Sequence, residues 1–210
     1  MKEYDLGQTL AFMNQRKGDL RQIYNQYPAK PEPPRRILKK ILKPAELAKK
    51  LFCPAFVQVP YSQEPIEKRQ QFEVLAQAGR IQAIMRMTRK GYRLLEPEKA
   101  SGQFNGRADF VFEDANHQKM KVEAKSSRKL KPWDVVQSLL YKEASDKVAI
   151  SSLEEFLEPE EWLVDMINST ARDFTDFYSQ SPEVAANIHL PYYGLCEKCA
   201  NNECPYKKHN

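Results

Sequence analysis

The stretch that decides the fold runs from Gly106 to Ser145 and reads GRADFVFEDANHQKMKVEAKSSRKLKPWDVVQSLLYKEAS. Phe110, Val111 and Phe112 form one short apolar run, and Met120, Val122 and Ala124 lie on a second. The polar segment 113–118 between them has the composition of a hairpin loop. The spacing predicts two antiparallel strands, with Asp109 opening the first and Glu123 and Lys125 closing the second. Residues two apart on a strand project from one face, so Glu123 and Lys125 point the same way. The turn brings Asp109 level with Glu123. Two carboxylates and one lysine in a small volume suit a hard divalent cation. Mg2+ or Mn2+ takes oxygen ligands, keeps several waters and needs only one or two carboxylates beside a substrate phosphate. Such an ion polarises a phosphoryl oxygen and lowers the pKa of water, and a lysine ammonium beside it stabilises developing negative charge.

An Asp followed by Glu-x-Lys is a weak signal alone, because charged side chains on a solvated hairpin face are common. Two features strengthen it. Val122 and Ala124 alternate with the charged pair, so one strand face reads as buried while the charges cluster on the other. Further on, Gln137 and Tyr141 stand at i and i+4 on a segment of helical periodicity and share one face. Val136, Leu139 and Leu140 are then free to face the core.

Asp109, Glu123-x-Lys125 and Gln137-x-x-x-Tyr141 together resemble the RecB-like branch of the PD-(D/E)XK nuclease superfamily, over residues 70–145. The resemblance implies that Asp109 and Glu123 bind metal and that Lys125 is catalytic. It implies that Gln137 and Tyr141 line the site and contact DNA; the Ala124 carbonyl, on the same strand, is a candidate extra metal ligand. In that family the helix before the strands carries a histidine ligand shortly after a glycine. The matching position here is Gln82, in Gly79-Arg80-Ile81-Gln82, a departure that weakens the ligand. Glu73 on the same helix is an alternative third carboxylate.

The second signal lies at the ends of the chain. The C-terminus holds Cys196, Cys199 and Cys204 as C-x2-C-x4-C followed by Pro205, and the remaining cysteine is Cys53. Tight spacing of this kind reads as metal or cluster ligation. Four thiolates suit either zinc or an iron–sulfur cluster, and spacing alone does not choose. One cysteine before the nuclease core and three after it is similar to the arrangement in iron–sulfur RecB-like nucleases, including the CRISPR-associated RecB-like exonucleases. That resemblance implies a 4Fe–4S cluster on Cys53, Cys196, Cys199 and Cys204, with zinc as the alternative. It also implies single-stranded DNA as substrate, exonuclease action, and a CRISPR integrase complex or a helicase as partner.

The rest of the chain is consistent with one compact domain of 210 residues. Residues 1–52 read as an N-terminal helical and basic segment. Leu10, Phe12, Leu20, Ile23 and Tyr24 give its start an amphipathic look, residues 28–34 form a proline-rich connector, and Arg35, Arg36, Lys39, Lys40, Lys43, Lys49 and Lys50 form a basic stretch. That stretch reads as a solvated basic face or as a phosphate-contacting one. Residues 53–150 form the nuclease core and 151–210 the C-terminal helices and cysteine tail. Within the core, residues 62–90 predict a long helix, 91–96 a first strand, 97–105 a loop and 146–151 a fourth strand. The order αβββαβ is the restriction-endonuclease-like core of an α/β fold. Residues 154–180 predict another helix, with Phe156, Leu157, Trp162, Leu163, Met166, Ile167, Phe174 and Phe177 as its core face. Tyr192 and Tyr193 can stack on bases or pack over the cysteines. His117, His189 and His209 are too scattered for a histidine site, and His117 sits in an exposed turn. The formal charge of +5 suits a polyanion partner. No apolar run approaches the ~18 residues of a membrane span, and the first ten residues lack a signal-peptide core, so the expectation is a cytoplasmic chain. Two other readings are a catalytically weak DNA-binding scaffold of the same fold and a zinc-stabilised adaptor.

Overall fold

A computed structural model describes residues 42–58, 60–101, 106–142, 146–190 and 192–206, together with Gln15, Gly18 and Gln22. The chain is mixed α/β and divides into two compact units. One comprises Lys43–Ala45 and Pro60–Asn168; the other comprises Met1–Leu42, Glu46–Val59 and Ser169–Asn210. The residues expected to form N-terminal helices, the proline connector and most of the basic stretch lie outside the described residues.

The first unit is built on a five-stranded mixed sheet of order β1-β2-β3-β4-β5. Its strands are β1 (Arg93–Ser101), β2 (Gly106–Glu113), β3 (Lys119–Ala124), β4 (Lys147–Ser151) and β5 (Phe156–Leu157). All neighbours are antiparallel except β3 and β4, which run parallel. Parallel neighbours require a crossover, and here it carries the helix α3 (Pro132–Leu139). The β2–β3 hairpin closes as its composition requires. Asp114 Oδ1 accepts hydrogen bonds from the amides of Asn116 (2.8 Å) and Gln118 (2.9 Å). His117 takes the left-handed backbone at φ 60° and is exposed. An aspartate that bonds the backbone two residues on is the chemistry that fixes such a turn.

Alternation along the strands sends one set of side chains into a shared core. Phe110 and Phe112 of β2, Met120 and Val122 of β3 and Ala149 of β4 pack with Ala83 and Met87 of the long helix α2 (Ile66–Arg89). The buried stripe of α2 is Gly79, Ala83 and Met87, four residues apart. Its larger apolar residues Phe72, Leu75, Ile81 and Met85 are exposed. Small residues face the sheet because the helix lies close to it. A Cβ built on Gly79 would stand 2.6 Å from the carbonyl oxygen of Lys125.

Three expectations for the first unit need correction. β1 continues through Pro97, which the sequence placed in a loop. It is an edge strand, where a proline removes no interior ladder bond. Phe156 and Leu157, read as helical, form β5 against Ile150 and Ser151, and the helix α4 begins only at Glu161 and runs to Gln180. The apolar spacing continued smoothly across a strand and a helix, and Pro159 marks the break. Trp162, read as core, is half exposed.

In the second unit, Leu47, Ala48, Leu51 and Phe52 of α1 (Pro44–Phe52) are buried, as are Ala171, Phe174 and Phe177 of α4. Ala185 of α5 (Pro182–Ala186) and Leu195 of α6 (Tyr193–Cys196) are buried too. The Phe52 and Tyr192 rings stand 5.0 Å apart. The segment after α1 is laced to the C-terminal part of the chain. The Ala55 amide donates to the Ile188 carbonyl at 3.1 Å, the Ala200 amide to the Val57 carbonyl at 2.8 Å, and Gln58 bridges Cys199. Lys50 departs from the basic-face reading. It is buried, donates to the carbonyls of Pro54 and Phe56 at 3.1 Å each, and lies 5.3 Å from the centre of the Tyr178 ring. Its charge serves the fold of this unit. Among the described residues no helix is long and apolar enough to cross a membrane.

Candidate active site and cysteine cavity

The pairing of β2 with β3 sets the first site. Phe110 stands opposite Val122, so one step further Asp109 stands opposite Glu123 with its side chain on the same face. The Ala124 amide donates to Asp109 Oδ2 at 2.8 Å, which fixes the carboxylate at the end of the hairpin. Lys125 follows directly. Its amide donates to the Ser151 carbonyl at 2.7 Å, prolonging the β3–β4 pairing by one bond. Its ammonium donates to Glu123 Oε1 and Gln137 Oε1, both at 2.8 Å. The Gln137 amide group donates in turn to Glu123 Oε1 at 2.7 Å and to the Tyr141 hydroxyl at 2.9 Å. Gln137 lies on α3 and Tyr141 in the turn beyond it, still close enough for the i, i+4 contact. The five residues singled out in the sequence thus meet at one place, four of them in one hydrogen-bonded chain.

Burial sets the electrostatics. Glu123 is almost wholly removed from solvent. Desolvation raises its pKa from 4.5 to about 7; Lys125 opposes the rise, and Asp109 and Asp134 add to it. For Lys125, burial acts to lower the pKa, but the Glu123 and Asp134 carboxylates outweigh it and hold the ammonium above the usual lysine range. The Tyr141 hydroxyl is pushed upward by burial and by Glu123, so it stays protonated. Both protein donors on Glu123 use Oε1. Oε2 accepts no hydrogen bond among the described residues.

Two charged residues at the site were missed by the sequence reading. Asp134 Oδ1 stands 3.9 Å from the Lys125 ammonium. Its spacing of three before Gln137 on the same helix was the available signal. Arg80 Nη2 donates to Asp109 Oδ1 at 3.2 Å. It lies in Gly79-Arg80-Ile81-Gln82, the tetrapeptide that ends at the position matching the family histidine. Arg86 matters indirectly. Its guanidinium donates to Ser151 Oγ and to the carbonyls of Ser152, Leu153 and Glu155, pinning the loop after β4 to the strand end whose Ser151 carbonyl holds the Lys125 amide. Gln82 is half-buried and makes no hydrogen bond to Asp109 or Glu123. Glu73 is exposed and accepts from the Tyr61 hydroxyl at 3.1 Å, apart from the Asp109 network.

The second site lies in the second unit. Cys53, Cys196, Cys199 and Cys204 are all free thiols and line one cavity with Ala55, Phe56, His189 and Leu195. Cys53 is buried, and desolvation pushes its thiol pKa up; hydrogen bonds from the backbone at Leu190 and Ala55 oppose this, and Cys196 and Cys199 add to it. The Val57 amide donates to Cys199 Sγ at 3.4 Å. His189 Nδ1 is buried and has no partner among the described residues. Among those residues no three His, Cys, Asp or Glu side chains are drawn together closely enough to hold a metal ion as they stand.

Compared with known proteins, the chain matches no family model, no curated protein and no solved structure.

Proposed function

We propose that this chain is a metal-dependent nuclease that hydrolyses phosphodiester bonds in DNA, on a core of the restriction-endonuclease-like type. The order α2-β1-β2-β3-α3-β4 supports that core. The observation that carries the function is the meeting of Asp109, Glu123, Lys125, Gln137 and Tyr141 around the end of β3. A buried Glu–Lys pair with no further purpose is a poor stabilising device, because the desolvation of both charges offsets their attraction. A strongly perturbed carboxylate beside a second one is the signature of a site that handles charge.

The donor set fits Mg2+ or Mn2+, which ask for one or two carboxylates and complete their shell with water and substrate phosphate. Asp109 and Glu123 would hold the ion, with the Ala124 carbonyl and Gln82 as further candidate ligands. When bound, the cation supplies Lewis-acid polarisation of the phosphoryl group and lowers the pKa of water there. Lys125 places a fixed ammonium where negative charge grows on the phosphoryl oxygens and orients the attacking water. Gln137 holds Lys125 through its carbonyl and leaves the ammonium's third proton for substrate. Tyr141, protonated, locks the Gln137 amide orientation by accepting its N–H. The substrate we favour is single-stranded DNA attacked from an end, in CRISPR adaptation beside an integrase complex or in repair beside a helicase.

At the cysteine cavity we place a thiolate-ligated centre, a 4Fe–4S cluster in our reading and zinc as its alternative, whose binding would draw the four thiolates together. What supports this is that all four cysteines line one cavity together with His189, backbone amides donate to the sulfurs of Cys53 and Cys199, and His189 Nδ1 is buried without a partner among the described residues. A buried polar atom without a partner costs ~1–3 kcal/mol, which a bound group would relieve. The centre would join Cys53 to the C-terminal trio and contribute folding energy, because only the native chain assembles its ligands.

Labelled oligothymidylate incubated with the full chain tests the reading. Cleavage is expected with Mn2+ and not with EDTA, and is abolished by Asp109→Ala and by Lys125→Ala. Cleavage that survives both substitutions, or none by the wild type, would sink it.

A further inference from the structure

Both oxygens of Asp109 are already engaged by the protein. Oδ2 accepts from the Ala124 amide and Oδ1 from the Arg80 guanidinium. These two donors differ in freedom. The Ala124 amide belongs to β3 and cannot turn away without breaking the strand. Arg80 is a long side chain with 37% of its surface exposed. Oδ2 is held against the strand by that amide, so the approach to Asp109 that a side-chain movement can open to a cation is at Oδ1, where a guanidinium now sits. Two positive groups cannot share that oxygen at low cost, so Arg80 has to leave as the metal arrives.

The place it leaves for is also visible. Arg80, Pro97, Arg107, Asp109 and Phe110 line an open cleft of about 350 Å³. Two arginines beside the carboxylate make this cleft suited to a phosphate, whose oxygens match the planar donor fork of a guanidinium. A strand whose scissile phosphate lies at the metal would run its neighbouring phosphates along this wall.

We propose that Arg80 is a displaceable counter-ion that passes from Asp109 to the phosphodiester backbone of the substrate. This rests on the metal-dependent reading above. In the free protein Arg80 neutralises Asp109 and competes with the cation. Nucleic acid draws Arg80 away and exposes Oδ1. Metal and nucleic acid therefore bind cooperatively, and by linkage each strengthens the other by the same factor. Arg80 is a positioning and substrate-binding residue whose role is read in binding, apart from turnover.

The test measures Mn2+ affinity from the free-ion electron paramagnetic resonance signal, with and without oligothymidylate, in full-length chains carrying Lys125→Met to keep the oligonucleotide intact. In that parent chain, oligothymidylate should tighten Mn2+ binding about tenfold, within the usual range for coupled sites. Adding Arg80→Gln should tighten Mn2+ binding without DNA, weaken oligothymidylate binding and abolish the coupling. Arg80→Lys keeps the charge without the fork and should retain a smaller coupling; it decides the matter if the glutamine variant does not fold. Coupling in Arg80→Lys equal to the parent's, or Arg80→Gln with unchanged Mn2+ affinity and coupling, would overturn the inference while leaving the metal site standing. A parent chain that binds no Mn2+ would overturn the inference and the metal-dependent reading together.

Discussion

Gly79→Ala reports directly on how the long helix is seated against the site. At an ordinary helix position the change stabilises by ~1 kcal/mol, because alanine is the better helix former. Here the new Cβ would stand 2.6 Å from the Lys125 carbonyl oxygen, 2.9 Å from its carbonyl carbon and 3.2 Å from the Ser126 amide nitrogen. All three are backbone atoms, and the amide on the other side of the Lys125 Cα is held by its 2.7 Å bond to the Ser151 carbonyl. Relief to an ordinary contact requires a shift of roughly 0.8 Å in α2 or in the strand end, and overpacking of that kind costs ~1–3 kcal/mol. The clash should outweigh the propensity gain and leave the variant ~1 kcal/mol less stable, a melting temperature lower by ~2–4 °C for a chain of this size. Lys125 is the residue whose backbone is displaced, so cleavage should fall further than stability, by as much as ~100-fold for a misplacement near 1 Å. Circular dichroism melts and oligothymidylate cleavage with Mn2+ read the two effects. A variant that melts higher than wild type and cleaves at the wild-type rate would refute the close seating of α2.

Other outcomes follow from the same geometry. Glu123 has a folded-state pKa raised to about 7, so the native chain holds a proton that the unfolded chain releases near pH 4.5. That contribution is complete below pH 4.5 and is lost as pH rises through 7, at most ~3 kcal/mol. The metal-free chain should therefore lose stability between pH 5 and 8 in denaturant titrations and recover it with Mg2+; a flat profile with no Mg2+ effect would count against Glu123 as a ligand. Gln137→Leu removes one partner from Lys125 and one from Glu123 and should cost ~1–3 kcal/mol as well as most cleavage; a stable, fully active variant would show the network to be incidental. Cys53→Ser and Cys199→Ser should each lower iron or zinc content measured after anaerobic purification and lower the melting temperature together. Unchanged metal content in both would exclude the cysteine cavity as its holder. Lys50→Met should destabilise the second unit by ~1–3 kcal/mol through the unsatisfied Pro54 and Phe56 carbonyls, without altering Mn2+ binding.

Much of the first unit was legible because its signals are local. The hairpin could be read from two apolar runs about one polar turn, and Asp114 and His117 occupy the places that turn chemistry gives them. The helix α2 was legible from its spacing, but which face it buries was not. Its larger apolar residues Phe72 and Ile81 point outward, while Gly79 and Ala83 lie on the sheet. Closeness of approach governs that choice, and hydrophobicity counts do not encode it. The edge position of β1, which lets Pro97 stay in a strand, is a property of the whole sheet. Lys50 shows the same limit from the other side. A lysine in a basic run reads as solvated until a turn of backbone offers it two carbonyls.

For the candidate site, residue identity was legible and state of charge was not. Glu123-x-Lys125 and Gln137 with Tyr141 could be placed by strand and helix periods alone. What those periods leave out is that one oxygen of Glu123 accepts two donors while Asp134 crowds the same lysine. Burial raises the Glu123 carboxyl to about 7, against Lys125 and with Asp109 and Asp134 adding to the rise, and the Glu123 and Asp134 carboxylates hold the lysine charged. The metal-free site is thus carboxylates balanced by protein cations, Lys125 against Glu123 and Arg80 against Asp109. The two balances differ in kind. Lys125 is tied to Gln137 as well and keeps its place when Glu123 takes a ligand through Oε2. Arg80 sits on Oδ1 of Asp109, the oxygen not held by the strand amide. On the proposed reading one cation stays and the other yields, and the site admits a metal most readily when a polyanion is there to receive the displaced arginine.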